Sequence, residues 1–239
     1  MKKRICALAL TLALAAGGLS LASDLKMADG HILPLGNEVT LREADKSYVG
    51  KELQKEWNRE KVEKEILPAV KRIGLFRKGD ALHEKVMAEQ LGQLFEATRF
   101  SQLQMETKEA FHQAVVMSVK LEEKDIAGWN EIIRAMEKAH PGKIDILGEN
   151  RTLNLETIRE SMKKEDGHDR FVYKKDGQTE FIYGSIFLFA EQYGVETPFY
   201  VFFIAAADKG QFGVTAIYTN QATGRIMEPV LVKGAEGLR

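Results

Sequence analysis

Thr179-Glu180-Phe181-Ile182-Tyr183-Gly184-Ser185-Ile186-Phe187-Leu188-Phe189-Ala190, followed after a short break by Pro198-Phe199-Tyr200-Val201-Phe202-Phe203-Ile204-Ala205-Ala206-Ala207, decides the fold. Both segments are apolar on both of their alternating faces. In the first, Ile182, Ile186 and Leu188 oppose Phe181, Tyr183, Phe187 and Phe189; in the second, Phe199, Val201 and Phe203 oppose Tyr200, Phe202 and Ile204. Runs of this length, rich in aromatic and β-branched residues, read as strands, and strands apolar on both sides belong at the centre of a sheet that is covered twice. The run from Phe199 to Ala207 is far short of a bilayer span and follows a proline, so it suits a buried strand rather than a membrane helix.

Outward from this pair, strands near 170–175, 179–190, 198–207 and 211–219 are divided by Asp176-Gly177, Tyr193-Gly194 and Asp208-Lys209-Gly210, turn chemistry throughout. They form an antiparallel meander, and Arg225 to Val232 reads as a last strand that Pro229 confines to an edge. Upstream, Phe111, Gln113, Val115, Met117, Val119 and Leu121 alternate with His112, Ala114, Val116, Ser118 and Lys120, again strand spacing, with 99–106 as its partner across Thr107-Lys108-Glu109.

The rest is helical. Val49, Leu53, Trp57, Val62, Ile66 and Val70 recur at intervals near four from about 45 to 67, before Pro68 and a stop near Gly74. The charges between them, such as Glu60 with Lys64 and Lys61 with Glu65, are the i,i+4 pairs of a solvated helix. A second helix runs from an Asp80 cap to Thr98 on Leu82, Val86, Leu91, Leu94 and Phe95, pairing with the first as a hairpin. A third carries Ile126, Trp129, Ile133 and Met136 to a stop at Pro141-Gly142, and a shorter one follows near 154–164. The predicted fold is α+β: helices packed on a mainly antiparallel sheet, with a C-terminal four-stranded meander.

The expected organisation is a cleaved signal peptide over 1–22, an extended N-terminal arm or hairpin over 23–44 and a single α+β domain over 45–239. That domain comprises a helical hairpin (45–98), a mixed α/β segment (99–169) and the meander (170–232). The signal rests on Lys2, Lys3 and Arg4, an apolar run from Ile5 to Ala16, and small residues ending at Ser20-Leu21-Ala22. Cleavage after Ala22 removes the only cysteine, Cys6, so thiol nucleophiles, cysteine metal sites and disulfides are excluded from the mature chain. It also shifts the balance from 34 basic and 35 acidic residues to 31 and 35, net −4. A weakly acidic surface without basic clusters argues against nucleic acid and anionic membrane as partners.

No motif marks a metal, cofactor or catalytic site. His31, His83, His112, His140 and His168 form no ligand spacing, and His83-Glu84 lacks the second histidine of a zinc helix. There is no GxSxG elbow and no phosphate loop. Glu165-Asp166-Gly167-His168-Asp169 gathers three carboxylates and an imidazole, but without calcium-loop spacing it reads as a turn. Of the 20 aromatic residues, 13 lie between Phe171 and Tyr218; this reads first as core and second as one wall of an apolar cavity.

These readings point to an exported protein, periplasmic or extracellular, with no transmembrane anchor after processing. It is a non-catalytic binding or accessory module whose partner is another envelope protein or an apolar small molecule. The competing expectation is an envelope hydrolase with a spatially assembled site, for which His112, His168 and Asp169 are the first positions to inspect.

Overall fold

The computed structural model of the chain describes residues 24–37, 39–43, 48–68, 81–142, 146–147, 151–166, 171–192 and 195–239. The expected signal segment, the Gly74 stop, the Asp80 cap, the Tyr193-Gly194 turn and His168-Asp169 lie outside these residues.

The alternating segments form one seven-stranded sheet, antiparallel throughout, in the order β3-β4-β5-β9-β8-β7-β6. Its strands are β3 (Val39–Glu43), β4 (Arg99–Glu106), β5 (Phe111–Glu122), β6 (Phe171–Asp176), β7 (Thr179–Gln192), β8 (Val195–Asp208) and β9 (Gln211–Asn220). A separate hairpin, β1 (Asp24–Lys26) with β2 (Ile32–Pro34), precedes it. The helices are α1 (Tyr48–Glu56), α2 (Arg59–Lys61, running on into a π-helical stretch Val62–Ile66), α3 (Ala81–Ala97), α4 (Glu123–Ala139), α5 (Leu155–Asp166) and α6 (Gln221–Glu236). The fold is α+β, as the sequence predicts, with β6 to β9 as its C-terminal four-stranded meander.

β8 neighbours β9 and β7, with β5 beyond β9, which explains why its side chains are apolar in both directions. On the front face, Tyr200, Phe202, Ile204 and Ala206 pack with Phe181, Tyr183, Val116 and Ile217 beneath α6 and the β1–β2 hairpin. On the back, Ala205, Ile182, Phe171, Phe212, Val119 and Leu121 meet Leu155 of α5, with Leu94, Ile126 and Trp129 closing over them. A smaller group on the back joins Leu53 of α1 to Phe100 and Val115, where Trp57 stacks on Phe95 at 3.9 Å. Each fully buried Phe or Ile contributes about 1.5–3 kcal/mol.

Two elements differ from the sequence reading. The helix expected over 45–67 breaks at Trp57-Asn58, because the Asn58 side chain accepts a hydrogen bond from the Lys61 amide (3.1 Å) and starts a new helix. The larger correction concerns Arg225 to Val232, which is helix and not strand, so the meander ends at Asn220 rather than 232. Val230, Val232 and Pro229 suggest an edge strand. The stronger pattern is Thr223, Met227, Leu231 and Ala235, four apart and all buried against the front face, with the Asn220 carboxamide capping the Thr223 amide at 2.9 Å. Pro229 sits on the exposed side of that helix; the local cost of its missing N–H is offset by burial of the opposite stripe.

α6 lies close because glycine lets it. A Cβ on Gly224 would fall 2.1 Å from Cγ of Tyr200, and one on Gly234 would fall 2.5 Å from the carbonyl oxygen of Pro34. The N-terminal hairpin and β3 are part of the same core: Leu25, Leu33, Leu35, Val39 and Leu41 are all buried in the cluster beneath α6.

Candidate functional site

The Met27–His31 turn crosses the front face at one end of the sheet. Gly30, with φ +95°, closes it by donating to the Met27 carbonyl at 3.1 Å, while Met27 donates to His31 at 2.9 Å. The turn is pinned from below. The Ala28 amide donates to Ser118 Oγ at 2.8 Å, and that hydroxyl lies 2.7 Å from Thr215 Oγ1, joining β5 and β9 under the turn.

This anchoring sets the Asp29 carboxylate directly on β9 at Gly213, where a Cβ would stand only 1.7 Å from Oδ2; a glycine is required there. Asp29 Oδ1 accepts from the His31 amide at 3.1 Å, and Oδ2 stands 3.0 Å from His31 Nδ1 without hydrogen-bond alignment. The imidazole meets the edge of Phe181 at 5.0 Å and 81°. Side-chain exposures of 5% for Asp29 and 16% for His31 place the pair in the wall of the fold rather than on its surface.

Beside the pair is a basin of about 240 Å³ lined by Asp29, His31, Ala206, Asp208, Gln211 and Arg239, with Gly30 and Gly213 at its edge. Asp208 and Gln211 come from the β8–β9 hairpin, whose central residues Lys209 and Gly210 both hold positive φ, the backbone of a tight two-residue turn. Arg239 is fixed by its main chain. Its carbonyl accepts from Ile32 at 2.8 Å, and its Nη2 donates to Asp24 at 3.2 Å. Asp208 Oδ1 is closed off from solvent and has no hydrogen-bond partner among the described residues.

A second polar group lies on the front face beneath α6. Ser185 Oγ donates to Glu228 Oε1 at 2.6 Å, tying β7 to the helix, with the buried Tyr200 hydroxyl beside them. Burial first, and the Glu228 carboxylate second, hold Tyr200 un-ionised far above the ordinary tyrosine range. On the back face, Phe199 and Tyr218 stack at 4.9 Å, and burial pushes the Tyr218 phenol up to about 12. The front-face aromatics are core: Phe181, Tyr200 and Phe202 are no more than 2% exposed.

Of the positions singled out from sequence, His112 is 8% exposed near the start of β5, where its Nε2 lies 3.3 Å from Thr107 Oγ1 in the adjoining turn. The basin lies by Gly213, which faces Lys120, so His112 is roughly 27 Å away along the strand at about 3.4 Å per residue. His168 and Asp169 lie outside the described residues, as does most of the acidic turn that contains them. His83 is on α3 and His140 follows α4, away from the basin lining. No group of three or more candidate ligands that could hold a metal occurs among the described residues.

Asp29, His31, Asp208 and Arg239 carry no motif. In the sequence, Asp29-Gly30 and Asp208-Lys209-Gly210 are two turn signals, and the fold sets them side by side. Compared with known protein families, with curated proteins and with solved structures, the chain matches none.

Proposed function

We propose that this is an exported, non-catalytic binding module of the cell envelope whose binding element is the basin between the Met27–His31 turn and the β8–β9 hairpin. One observation carries the reading: a concave space of about 240 Å³ gathers the polar residues Asp29, His31, Asp208, Gln211 and Arg239 from two turns and the chain's last residue. The polar lining favours a polar ligand over the apolar one that the aromatic content suggests. The export half of the reading rests on the basic, apolar and small-residue order of residues 1–22.

Native mass spectrometry of the protein recovered from its own envelope fraction, before any ligand-stripping step, tests both halves. The expected result is a chain starting at Ser23 that carries a small-molecule adduct, lost in Asp208→Asn. A chain retaining residues 1–22 overturns export, and a bare mass overturns binding.

The Asp29–His31 pair favours a second reading, an envelope hydrolase: the carboxylate lies 3.0 Å from Nδ1, and a small rotation of the imidazole would align the two for proton transfer. Its test is ester and amide hydrolysis across a substrate panel. Activity abolished by His31→Gln supports it, and activity unchanged by that substitution rules it out.

A further inference from the structure

We propose that β6 is the seam of a weak symmetric homodimer, in which the strand pairs antiparallel with the β6 of a second copy about a two-fold axis at Tyr173. β6 ends the seven-stranded sheet, bonded on one side to β7 and on the other to no strand among the described residues. The two-residue turn Gly177-Gln178 is closed between Asp176 and Thr179. By the alternation of an antiparallel ladder, Asp176, Lys174 and Val172 therefore direct their N–H and C=O groups to β7. Phe171, Tyr173 and Lys175 direct theirs outward, a row of donors and acceptors that an extended chain satisfies.

Such an edge is ordinarily guarded by free lysines. Both lysines of β6 are engaged within their own protomer. Lys174 Nζ donates to the carbonyls of Glu236 and Leu238 at 2.9 and 3.2 Å, at the end of α6, and Lys175 Nζ donates to Glu180 Oε1 at 3.3 Å. Beside them the strand exposes apolar surface on both faces, Val172 being 48% and Tyr173 40% exposed.

Register and charge favour a second copy as the occupant. Tyr173 is the middle of the three outward residues, so pairing about it sets Phe171 opposite the partner's Lys175 and lets all three exchange both hydrogen bonds. Val172 then stands opposite the partner's Lys174 and packs on an alkyl stem already held by its bonds to α6, and no lysine directly faces a lysine. On the back face, where Phe171 is buried, the two Tyr173 rings meet. Two carboxylates and one ammonium of the same protomer act on each Tyr173 hydroxyl. Its phenol is held above the ordinary tyrosine range by desolvation first and Glu180 second, with Glu156 of α5 adding to the effect and Lys175 opposing it. The partner's Lys175, diagonal to Tyr173 on that face, adds the cation that balances them. Six residues a side fall short of the roughly 800 Å² per partner of a standard interface, so the dimer is weak, with a dissociation constant of about 10–100 µM.

Sedimentation equilibrium of the purified protein from about 1 µM to 1 mM, joined to residue-resolved amide exchange, tests the proposal. The expected result is a reversible monomer–dimer equilibrium in which exchange at Tyr173 and Lys175 slows by at least about fivefold at the highest concentration, while Val172 and Lys174, already bonded to β7, do not change. Tyr173→Pro removes an outward N–H that β7 does not use, and Lys175→Glu turns the diagonal attraction into repulsion. Each should weaken the dimer by at least about tenfold with the monomer still folded, and Glu156→Lys added to Lys175→Glu should recover part of the loss. A monomer at every concentration overturns the proposal and leaves the edge to a strand of another protein. A dimer that survives Tyr173→Pro, with the Tyr173 and Lys175 amides exchanging freely, also overturns it, because that dimer uses another surface.

Discussion

The two covers of the sheet are built by different rules. The front is covered by residues 24–35 and by α6, which meet across most of the length of the chain and approach closely through Gly213, Gly224 and Gly234. The back is covered by α1, α3, α4 and α5, drawn from the middle of the chain, with side chains such as Leu94, Ile126, Trp129 and Leu155 filling the space between layers. Close approach leaves no slack: where the front cover stops short, at the Met27–His31 turn, the gap is walled by backbone and fixed carboxylates. The back cover can accommodate change by moving a side chain.

The same substitution on the two covers breaks the comparison most directly. Gly224→Ala puts a methyl into the buried Tyr200 ring and is expected to destabilise the protein by about 3 kcal/mol, against the usual gain for alanine in a helix. Gly92→Ala, in α3, meets only the Arg59 side chain at 3.0 Å, half exposed and able to move. It should be neutral to stabilising, by up to about 1 kcal/mol. Urea unfolding of both variants measures the difference, and equal losses would show that the two covers are equally tight.

Next in size is the anchor beneath the turn. Ser118→Ala leaves the Ala28 amide and the Thr215 hydroxyl without their shared partner, with an expected loss of about 1–2 kcal/mol. Hydrogen exchange should then quicken at Ala28 and Gly30 while the back-face strand amides keep their protection. Gly213→Ala should evict the Asp29 carboxylate and loosen the same turn by a different route. If exchange is unchanged in both variants, the turn is held by something other than this anchor.

The smallest effect belongs to the back. Tyr218 ionises at about 12 in the folded protein and near 10 when unfolded, so the unfolded chain loses that proton first as pH rises. Its contribution is therefore present below pH 10 and declines from 10 to 12. Allowing for its partial exposure, the decline is roughly 1 kcal/mol. Tyr218→Phe keeps the ring for the Phe199 stack and should flatten that part of the alkaline unfolding curve. An unchanged curve would assign alkaline sensitivity to Tyr183 and Tyr200 instead, both also raised by burial.

The sheet was legible because its signal is local. A strand apolar on both sides needs only its own residues to declare itself, and β7 and β8 do so from Phe181 to Ala207. The helix α6 was obscured where two signals compete: β-branched Val230 and Val232 with Pro229 against the four-residue spacing of Met227 and Leu231, and tertiary burial decides for the helix. Asn58 likewise reads as one more polar residue on a helix until its side chain is seen capping Lys61. The basin was not legible at all. Asp29 and Asp208 each sit in an Asp and Gly turn, the commonest reason for such residues, and only their meeting across the sheet gives them a second meaning. His112 shows the contrast, since its partner Thr107 is five residues away and its role closes within one hairpin.

The central claim is that these two turns hold a ligand, and a high-resolution crystal structure of protein purified from its own cells without dialysis tests it most directly. The account predicts continuous density in the basin for a small organic molecule in contact with the residues that line it. Ordered water alone in the basin would contradict it, and would make the basin a hydrated seam between the two turns.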